Sequence, residues 1–292
     1  MHARHGRRAP HRRRGAGRAG QMIRRAQPWL GTLVEITVDD GAGQDAVTQA
    51  FAEIARLHAL MSFHDRASDI ARINRALPGD VVDVDAATRD VLRLALHIAD
   101  LSGGAFDIAC APWLVDRHIV PAPAEVHPAP RASSTVFALE DDGRVVKRDA
   151  GWIDVGGIAK GYIVDAAVAV LQQAGAIEGC VNAGGDLRAF GTAPVPVAVR
   201  SPRAPGQAAR HIMLCDEALA TSGSYFSARV HEGVVVGALL DARDGRPLVA
   251  AASASVRAAR CAVADALTKV VLATGDCRHP ALAAFGATAF LT

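Results

Sequence analysis

The stretch Asp154–Tyr162, which reads DVGGIAKGY, decides how the rest of the chain is interpreted. It leads from a carboxylate through a glycine pair to a lysine, and an apolar run of helical periodicity follows over residues 163–174. Gly175 marks the end of that helix. Glycines at a helix entrance expose backbone N–H groups that receive an anion, most often a phosphate. A tight turn that merely precedes a helix is the alternative, and a lone Gly-Gly pair favours it.

A second glycine cluster, NAGGD at residues 182–186, comes shortly after this helix. Two turns that each combine glycines with a carboxylate, one on either side of a helix, favour a pocket built of backbone. Lys160 would bring a mobile positive charge to that pocket, and Asp154 would bring a hydrogen-bond acceptor. The sequence therefore predicts an anion site at the helix entrance.

Composition limits the classes of protein that fit. The chain has 292 residues, half of them apolar but only 4% aromatic, which is enough for a large core of Ala, Val, Leu and Ile. No apolar run approaches the ~20 residues that span a bilayer. The five cysteines are widely spaced and form no C-x-x-C pair, so they predict thiols in a reducing compartment rather than a disulfide framework.

The charge is unevenly distributed along the chain. Residues 1–21 hold seven arginines and no acid, and removing seven positive charges from the net +2 leaves −5 for the rest. We therefore expect no nucleic-acid partner for residues 22–292, and we expect the basic arm, residues 1–21, to be disordered. Met22 is an alternative start that would make the arm an artefact. Without an apolar signal segment or a lipid-attachment cysteine near the start, the chain is predicted to be cytoplasmic.

Hydrophobic periodicity predicts a mixture of helices and strands. The predicted helices cover 44–61, a short segment capped by Ser68, 88–102, 163–174 and 258–274. The predicted strands and hairpins cover 29–38, 135–148 with a turn at Asp142-Gly143, 180–200, 211–222 and 234–249. Strands and helices do not alternate strictly, so we expect an α+β fold with largely antiparallel sheets rather than a doubly wound one.

Several carboxylates stand beside glycines or small residues, and each has a structural and a chemical interpretation. They are Asp107, Asp154, Asp186, Asp241 and, on a helix among alanines, Asp265. Taken singly, each is best explained as a cap for backbone N–H groups. Taken with a helix-entrance anion site, they favour a Mg²⁺-assisted pyrophosphate site, since Mg²⁺ takes one or two carboxylates plus phosphate oxygens. The chain has no Walker motif, no G-x-G-x-x-G after a strand and no G-x-S-x-G elbow.

Six short motifs together resemble one known family, the ApbE-type FAD:protein FMN transferases. In chain order they are LGTLVE (30–35), GAFD (104–107), DVGGIAKGY (154–162), NAGGD (182–186), TSG (221–223) and ADAL (264–267). One of these motifs would be weak evidence, but six in the same order over residues 29–276 are specific. The resemblance implies a two-lobed, T-fold-like architecture for a single domain, residues 22–292.

The same resemblance implies an activity. Members split the pyrophosphate of FAD with Mg²⁺, attach FMN by a phosphoester to a threonine or serine of an acceptor flavoprotein, and release AMP. Some members mainly hydrolyse FAD to FMN and AMP. The partner expected here is therefore an acceptor flavoprotein, with FAD as substrate and Mg²⁺ as cofactor.

Site residues follow from the resemblance position by position. FAD would be bound by Leu30, His64, Ala105, Phe106, Asp107, Asp154, Lys160 and Leu240, with His64 standing where many members have a stacking aromatic. The metal would be held by the backbone oxygen of Gly157 and by Asp265 and Thr268. The catalytic residues would be Asp265, Lys160 and Asp241.

The sequence departs from the family pattern at three places. Lys269 stands where the family has a threonine, four residues after the metal-binding aspartate. Either Thr268 reaches the cation from the neighbouring position, or the Lys269 ammonium replaces the metal. Ala238 stands where the family has a histidine suited to act as general base, and His211 and His231 are the nearest substitutes. Ser224 stands in place of an acid. These departures leave two alternatives to the transferase, a FAD-binding protein without turnover and a FAD pyrophosphatase.

Overall fold

The computed structural model describes residues 22–204, 206–223, 229–231, 234–248 and 252–292. The basic arm and Ser224 lie outside the described residues. The strands are β1 (Met22–Trp29), β2 (Thr32–Asp39), β3 (Val81–Val82), β4 (Phe137–Leu139), β5 (Val145–Lys147), β6 (Gly179–Ala183), β7 (Asp186–Phe190), β8 (Val195–Arg200), β9 (Ala208–Leu214), β10 (Ala218–Gly223), β11 (Arg229–His231), β12 (Val234–Val236), β13 (Ser253–Ala258) and β14 (Thr288–Leu291). The α-helices are α1 (Gly43–Met61), α2 (Asp69–Arg75), α3 (Ala86–Leu101), α4 (Ala111–Asp116), α5 (Ser133–Val136), α6 (Ala159–Gln173), α7 (Cys261–Thr274) and α8 (Pro280–Ala284).

A seven-stranded antiparallel sheet, in the order β1-β2-β6-β7-β10-β13-β14, organises the chain. Alternate residues of each strand point to one face, as in β2, where Val34, Ile36 and Val38 are fully buried. On that face α6 packs against β6 and β7, α7 packs against β10 and β13, and α1 packs against α6. The central part of the sheet therefore lies beneath these three helices.

The opposite face of the large sheet carries a second, smaller apolar cluster. Leu187 and Leu219 point to this side and pack with Val199 of β8 and Leu214 of β9. The strands β8 and β9 form a two-stranded sheet of their own. This hairpin covers the face away from the helices.

A three-stranded sheet, β3-β5-β4, adds a further layer. Its core residues Val82, Phe137 and Val145 belong to the same apolar cluster as the residues beneath the helices. The fold is α+β with antiparallel sheets, as the mixed order of strands and helices predicts. In the part of the chain that the structure describes, no helix is both long and apolar enough to cross a bilayer.

Most of the predicted helices and turns are confirmed. Helix α1 matches the predicted 44–61, and the Ser68 hydroxyl oxygen caps α2 by accepting from the N–H of Ala71 at 3.0 Å. Strands β4 and β5 form the hairpin that Asp142-Gly143 predicts. Gly175 follows α6 with a φ of 96°, the left-handed conformation expected after a helix end.

Two predicted strands are wrong because each contains a turn. The segment 29–38 is interrupted by the loop between β1 and β2, where Leu30 and Gly31 have φ values of 56° and 71°. A two-residue hairpin loop of this kind needs positive φ at both positions, and leucine seldom adopts it. The segment 211–222 is likewise divided at Asp216, whose φ is 49°, between β9 and β10.

Candidate active site

The stretch that leads into α6 is held in place by hydrogen bonds at both ends. Asn74 of α2 accepts from the N–H of Ile153 at 2.7 Å and donates to its carbonyl at 2.9 Å. The carboxylate of Asp154 then accepts from the N–H of Gly156 at 2.8 Å. Gly156 is exposed and Gly157 half-buried, so this turn presents backbone to solvent just before α6 begins.

Two cavities adjoin at this turn. The first, of about 350 Å³ and called here the Phe106 cavity, is lined on one side by the segment 105–107 and on the other by Leu240 and Lys269. The second, of about 270 Å³ and called here the His64 cavity, contains Leu30 and His64 in its wall. Three residues line both cavities, namely Asp154, Gly156 and Lys160.

All eight residues predicted to bind FAD therefore line one cavity or the other. Four of them lie in the Phe106 cavity, two in the His64 cavity, and Asp154 and Lys160 lie where the cavities meet. A larger cavity of about 670 Å³ lies between the large sheet and β8 and includes Arg24, Glu35 and Asn182. It contains none of the predicted site residues, so cavity size alone does not identify the site.

Lys160 is anchored by a partner that the sequence did not suggest. Its ammonium group donates to Oδ2 of Asp186, which is 1% exposed, while Oδ1 of the same carboxylate is buried without a hydrogen-bond partner. Burial opposes the charge of Lys160, but the carboxylates of Asp265 and Asp186 outweigh it and raise the pKa of the ammonium. Lys160 is therefore positively charged where the two cavities meet.

The second glycine cluster has a different role from the one predicted. Gly184 and Gly185, with φ values of 66° and 104°, form the tight turn between β6 and β7. Neither glycine lines the Phe106 cavity or the His64 cavity. The turn contributes instead by placing Asp186 at the start of β7, opposite Lys160.

Lys269 forms an ion pair with Asp265. Its ammonium group donates to Oδ1 of Asp265 and, at 2.9 Å, to the main-chain oxygen of the same residue. The remaining carboxylate oxygen accepts from the N–H of Gly161 at 3.1 Å. Both oxygens of the predicted metal ligand Asp265 are thus engaged by groups of the chain itself.

Thr268 differs from its predicted role as a metal ligand. Its hydroxyl group donates to the main-chain oxygen of Asp265 at 2.6 Å and lies 2.8 Å from the hydroxyl oxygen of Ser222. The residue is fully buried and does not line the Phe106 cavity. The hydroxyl of Thr268 therefore joins α7 to Ser222 of β10, and it is Ser222 that lines the cavity.

Asp241 also differs from its predicted catalytic role. Its carboxylate accepts from Arg243 at 2.9 and 2.7 Å and from Arg246 at 3.3 Å, and it is absent from the cavity walls. The hydrogen bonds from Arg243, together with the charges of both arginines, lower the pKa of this carboxyl. A carboxylate so well paired is a weak base, and its place is to close the turn that presents Leu240 and Ala242 to the cavity.

Two other carboxylates do line the Phe106 cavity. Asp107 accepts from the backbone N–H groups of Ala109 at 2.8 Å and Ser133 at 3.0 Å, which fulfils the capping interpretation as well. Asp154 has the Gly156 hydrogen bond already described. Burial raises the pKa of both carboxyls above the ordinary aspartate value, against the opposing effect of these N–H donors.

Among the residues that the structure describes, no histidine lines the Phe106 cavity. Ala238 lies in its wall where the resemblance leads one to expect a histidine, and none of the described residues that line the cavity is a histidine. His211 is exposed on β9, on the far side of the large sheet. His231 lies in β11, where the structure describes the backbone alone.

Gly161 and Asp165 support the site in a way that sequence reasoning missed. A Cβ atom on Gly161 would lie 2.3 Å from the main-chain oxygen of Cys261, so this glycine permits the close approach of α6 and α7. Asp165 accepts from the N–H groups of Cys261 at 2.9 Å and Ala262 at 3.0 Å and thereby caps α7 from α6. Burial raises the pKa of the Asp165 carboxyl. The spacing Gly161 to Asp165, one helical turn, was the available signal.

Fold and site together define an α+β protein with two adjoining cavities at a helix entrance and a lysine where they meet. The model of the ApbE family matches residues 30–291, which is most of the chain. The chain therefore belongs to the ApbE family.

Individual relatives agree with this assignment. The FAD:protein FMN transferase of Vibrio cholerae is 26% identical over 289 residues, which cover 92% of this chain and 86% of that protein. The crystal structure of the ApbE protein from Thermotoga maritima has a TM-score of 0.80 at 27% identity and covers 93% of this chain and 94% of that one. The apo flavinyl transferase ApbE of Pseudomonas stutzeri has a TM-score of 0.78 at 22% identity, covers 93% and 91%, and shows the same fold.

Proposed function

We propose that this chain is a FAD:protein FMN transferase, which moves the FMN unit of FAD to a hydroxyl group of an acceptor flavoprotein. The observation that carries the proposal is the junction of the two cavities at Asp154 and Lys160. FAD has two bulky ends joined by a pyrophosphate. A cationic junction between two cavities suits such a molecule, with the pyrophosphate at Lys160 and one end in each cavity.

The reaction balances without further reactants. The oxygen of an acceptor serine or threonine attacks the phosphorus of the FMN phosphate, and the bond from that phosphorus to the bridging oxygen breaks. The electron pair of that bond goes to the AMP phosphate, which leaves with the bridging oxygen. The hydroxyl proton must pass to a base. Lys160 stabilises the negative charge that develops on the phosphate oxygens.

Asp154 is the carboxylate best placed to take the hydroxyl proton. It lines both cavities, and one of its oxygens accepts a single hydrogen bond from Gly156, whereas Asp107 accepts from two backbone groups. The raised pKa of Asp154 makes it a stronger base than an ordinary aspartate. Asp154 would thus act as the general base in place of the histidine that the family has at the position of Ala238.

A divalent cation does not fit Asp265 as the side chains stand. Both of its carboxylate oxygens already have donors, and Thr268 faces Ser222. Among the residues that the structure describes, no three His, Cys, Asp or Glu side chains form a metal-binding group. The carboxylate that the resemblance assigns to Mg²⁺ is therefore already engaged within the chain, and no step of the proposed reaction depends on the metal.

The proposed function is tested by a direct assay of flavin transfer to an acceptor. Purified protein is incubated with FAD and with candidate acceptor flavoproteins that carry an exposed threonine or serine, and covalent flavin is followed by in-gel fluorescence while AMP is measured by chromatography. We expect stoichiometric flavin on the acceptor and AMP in solution. Lys160→Met should abolish both, and Arg203→Met, which removes an exposed cation that lines neither cavity, should change neither.

Two alternatives give different products in the same experiment. Ala238, at the position where a histidine is expected, favours a protein that binds FAD without turnover, which would show FAD binding but no AMP. A FAD pyrophosphatase would release AMP together with free FMN. Either outcome would replace the transferase proposal. A cytoplasmic location remains part of the proposal and is tested by cell fractionation.

A further inference from the structure

Four charged side chains form a compact cluster beneath the junction of the cavities. Lys160 pairs with Asp186, and Lys269 pairs with Asp265. The two aspartates are at most 1% exposed, and the Lys269 side chain is 11% exposed. The pKa of Asp186 reflects all four groups, since burial and Asp265 raise it while Lys160 and Lys269 lower it.

The Lys269 ammonium lies where the family resemblance places a metal ion. It contacts Asp265 through a carboxylate oxygen and through the main-chain oxygen. Its Cε atom would be 3.6 Å from a Cβ on Gly157, the residue whose backbone oxygen was the other predicted ligand. The side chain of Lys269 thus passes close to Gly157 and ends on Asp265, and it also lines the Phe106 cavity.

The net charge of the cluster depends on the residue at position 269. With the threonine that is usual in the family at position 269, the cluster would hold one ammonium and two buried carboxylates. That arrangement has a net charge of −1 and would attract a cation from solution. With Lys269 the cluster holds two ammonium groups and two carboxylates and is neutral. A divalent cation would have to displace Lys269 from Asp265 and then sit beside two positive charges.

We propose that Lys269 is a resident cation that replaces the divalent metal at Asp265, so that this chain binds and processes FAD without Mg²⁺. The proposal rests on the proposed function in taking FAD as the ligand. Lys160 and Lys269 approach the cavity from α6 and α7, and together they present two ammonium groups to a pyrophosphate. An ammonium group stabilises phosphate charge as a point charge and does not act as a Lewis acid.

The first experiment measures metal binding without FAD and so does not depend on the proposed function. Mn²⁺ is titrated into the full chain, and the free ion is followed by its electron paramagnetic resonance signal. We expect no stoichiometric Mn²⁺ binding by the unaltered chain. Lys269→Thr should gain one Mn²⁺ per chain, because Asp265 is then free, and the double variant Lys269→Thr with Asp265→Asn should lose that ion again.

The second experiment measures FAD affinity by flavin fluorescence in EDTA and in excess MgCl₂. The unaltered chain should bind FAD equally in both buffers, within twofold. Lys269→Thr should bind at least tenfold more weakly in EDTA and recover with MgCl₂. If Lys269→Thr fails to fold, Lys269→Gln, which keeps a polar side chain of similar length, serves for both experiments with the same expected outcomes.

Two results would overturn the proposal. One is stoichiometric Mn²⁺ binding by the unaltered chain that Asp265→Asn removes, since Lys269 would then not exclude the metal. The other is a tenfold or greater gain in FAD affinity of the unaltered chain on adding MgCl₂. A chain that binds no FAD in either buffer would refute the proposed function, and the Mn²⁺ titration would still decide the role of Lys269.

Discussion

Replacing Lys147 by methionine removes a buried ammonium group from the three-stranded sheet. Lys147 is 1% exposed and donates to the main-chain oxygen of Gly151. Burial lowers its pKa from 10.5 to about 8, although Asp149 acts in the opposite direction. Methionine has a similar length and no charge, so it fills the same space without the cost of desolvating a cation.

The magnitude follows from the difference in pKa between the folded and unfolded chains. The unfolded chain holds the Lys147 proton more tightly, so the charged form destabilises the fold at pH 7 by about 3 kcal/mol. This penalty shrinks as the pH rises from about 8 towards 10.5, because the folded chain then no longer carries the proton. Methionine also leaves the Gly151 oxygen without its donor, which costs about 1–3 kcal/mol at every pH.

Urea unfolding at pH 7 and pH 10 measures the effect. Relative to the unaltered chain, the stability of Lys147→Met should fall by about 2.5 kcal/mol between the two pH values, and the lost hydrogen bond cancels in this difference. Arg148→Met, at the exposed neighbouring position, should show no such change. A difference for Lys147→Met that is the same at both pH values, within 0.5 kcal/mol, would refute the assignment of the low pKa to burial.

Three further substitutions test the supports of the site. Gly161→Ala should destabilise the fold by about 3 kcal/mol in urea unfolding, because the new Cβ would clash with the backbone of α7. The control Gly206→Ala, where the new Cβ meets open space, should be neutral, and equal effects of the two substitutions would contradict this prediction. Asp165→Asn keeps the shape but leaves one α7 N–H group without an acceptor, so unfolding should show a loss of about 1–2 kcal/mol, and an unchanged midpoint would argue against the cap. Asp186→Asn should raise FAD affinity severalfold by fluorescence titration, since a buried carboxylate no longer competes with the pyrophosphate for Lys160; weaker binding would show that Asp186 orients the ammonium instead.

The helix entrance was predictable from sequence because its signals are local. The glycines before α6, the periodic run after them and Gly175 at its end are each explained by neighbours within a few residues. The same holds for the Asp142-Gly143 hairpin and for the Ser68 cap. Local backbone preference and tertiary structure agree at all of these positions.

The partners of the charged residues were not predictable in the same way. Asp186 lies 26 residues from Lys160 and meets it because the β6–β7 turn places β7 beside α6. Leu30 adopts a left-handed φ that leucine disfavours, so no local rule indicated a turn there. Asp241 was predicted to be catalytic, yet Arg243, two residues away, pairs with it. Sequence shows which groups carry charge, whereas tertiary packing decides which of them remain available.

Lysine is rare in this chain, and the places where it occurs bear on the role of Lys269. The sequence has three lysines among its 32 basic residues, and arginine supplies every other positive side chain. Lys147 is buried, and the side chains of Lys160 and Lys269 are 35% and 11% exposed. Within the described part of the chain, the ammonium of each lysine donates to one residue only, namely Gly151, Asp186 and Asp265 respectively. A planar guanidinium is too wide for such a position and does not give up its proton, whereas a compact ammonium fits between Gly157 and Asp265. Because the chain uses arginine almost everywhere else, the lysine at position 269 is best explained by a requirement for a small cation at that point.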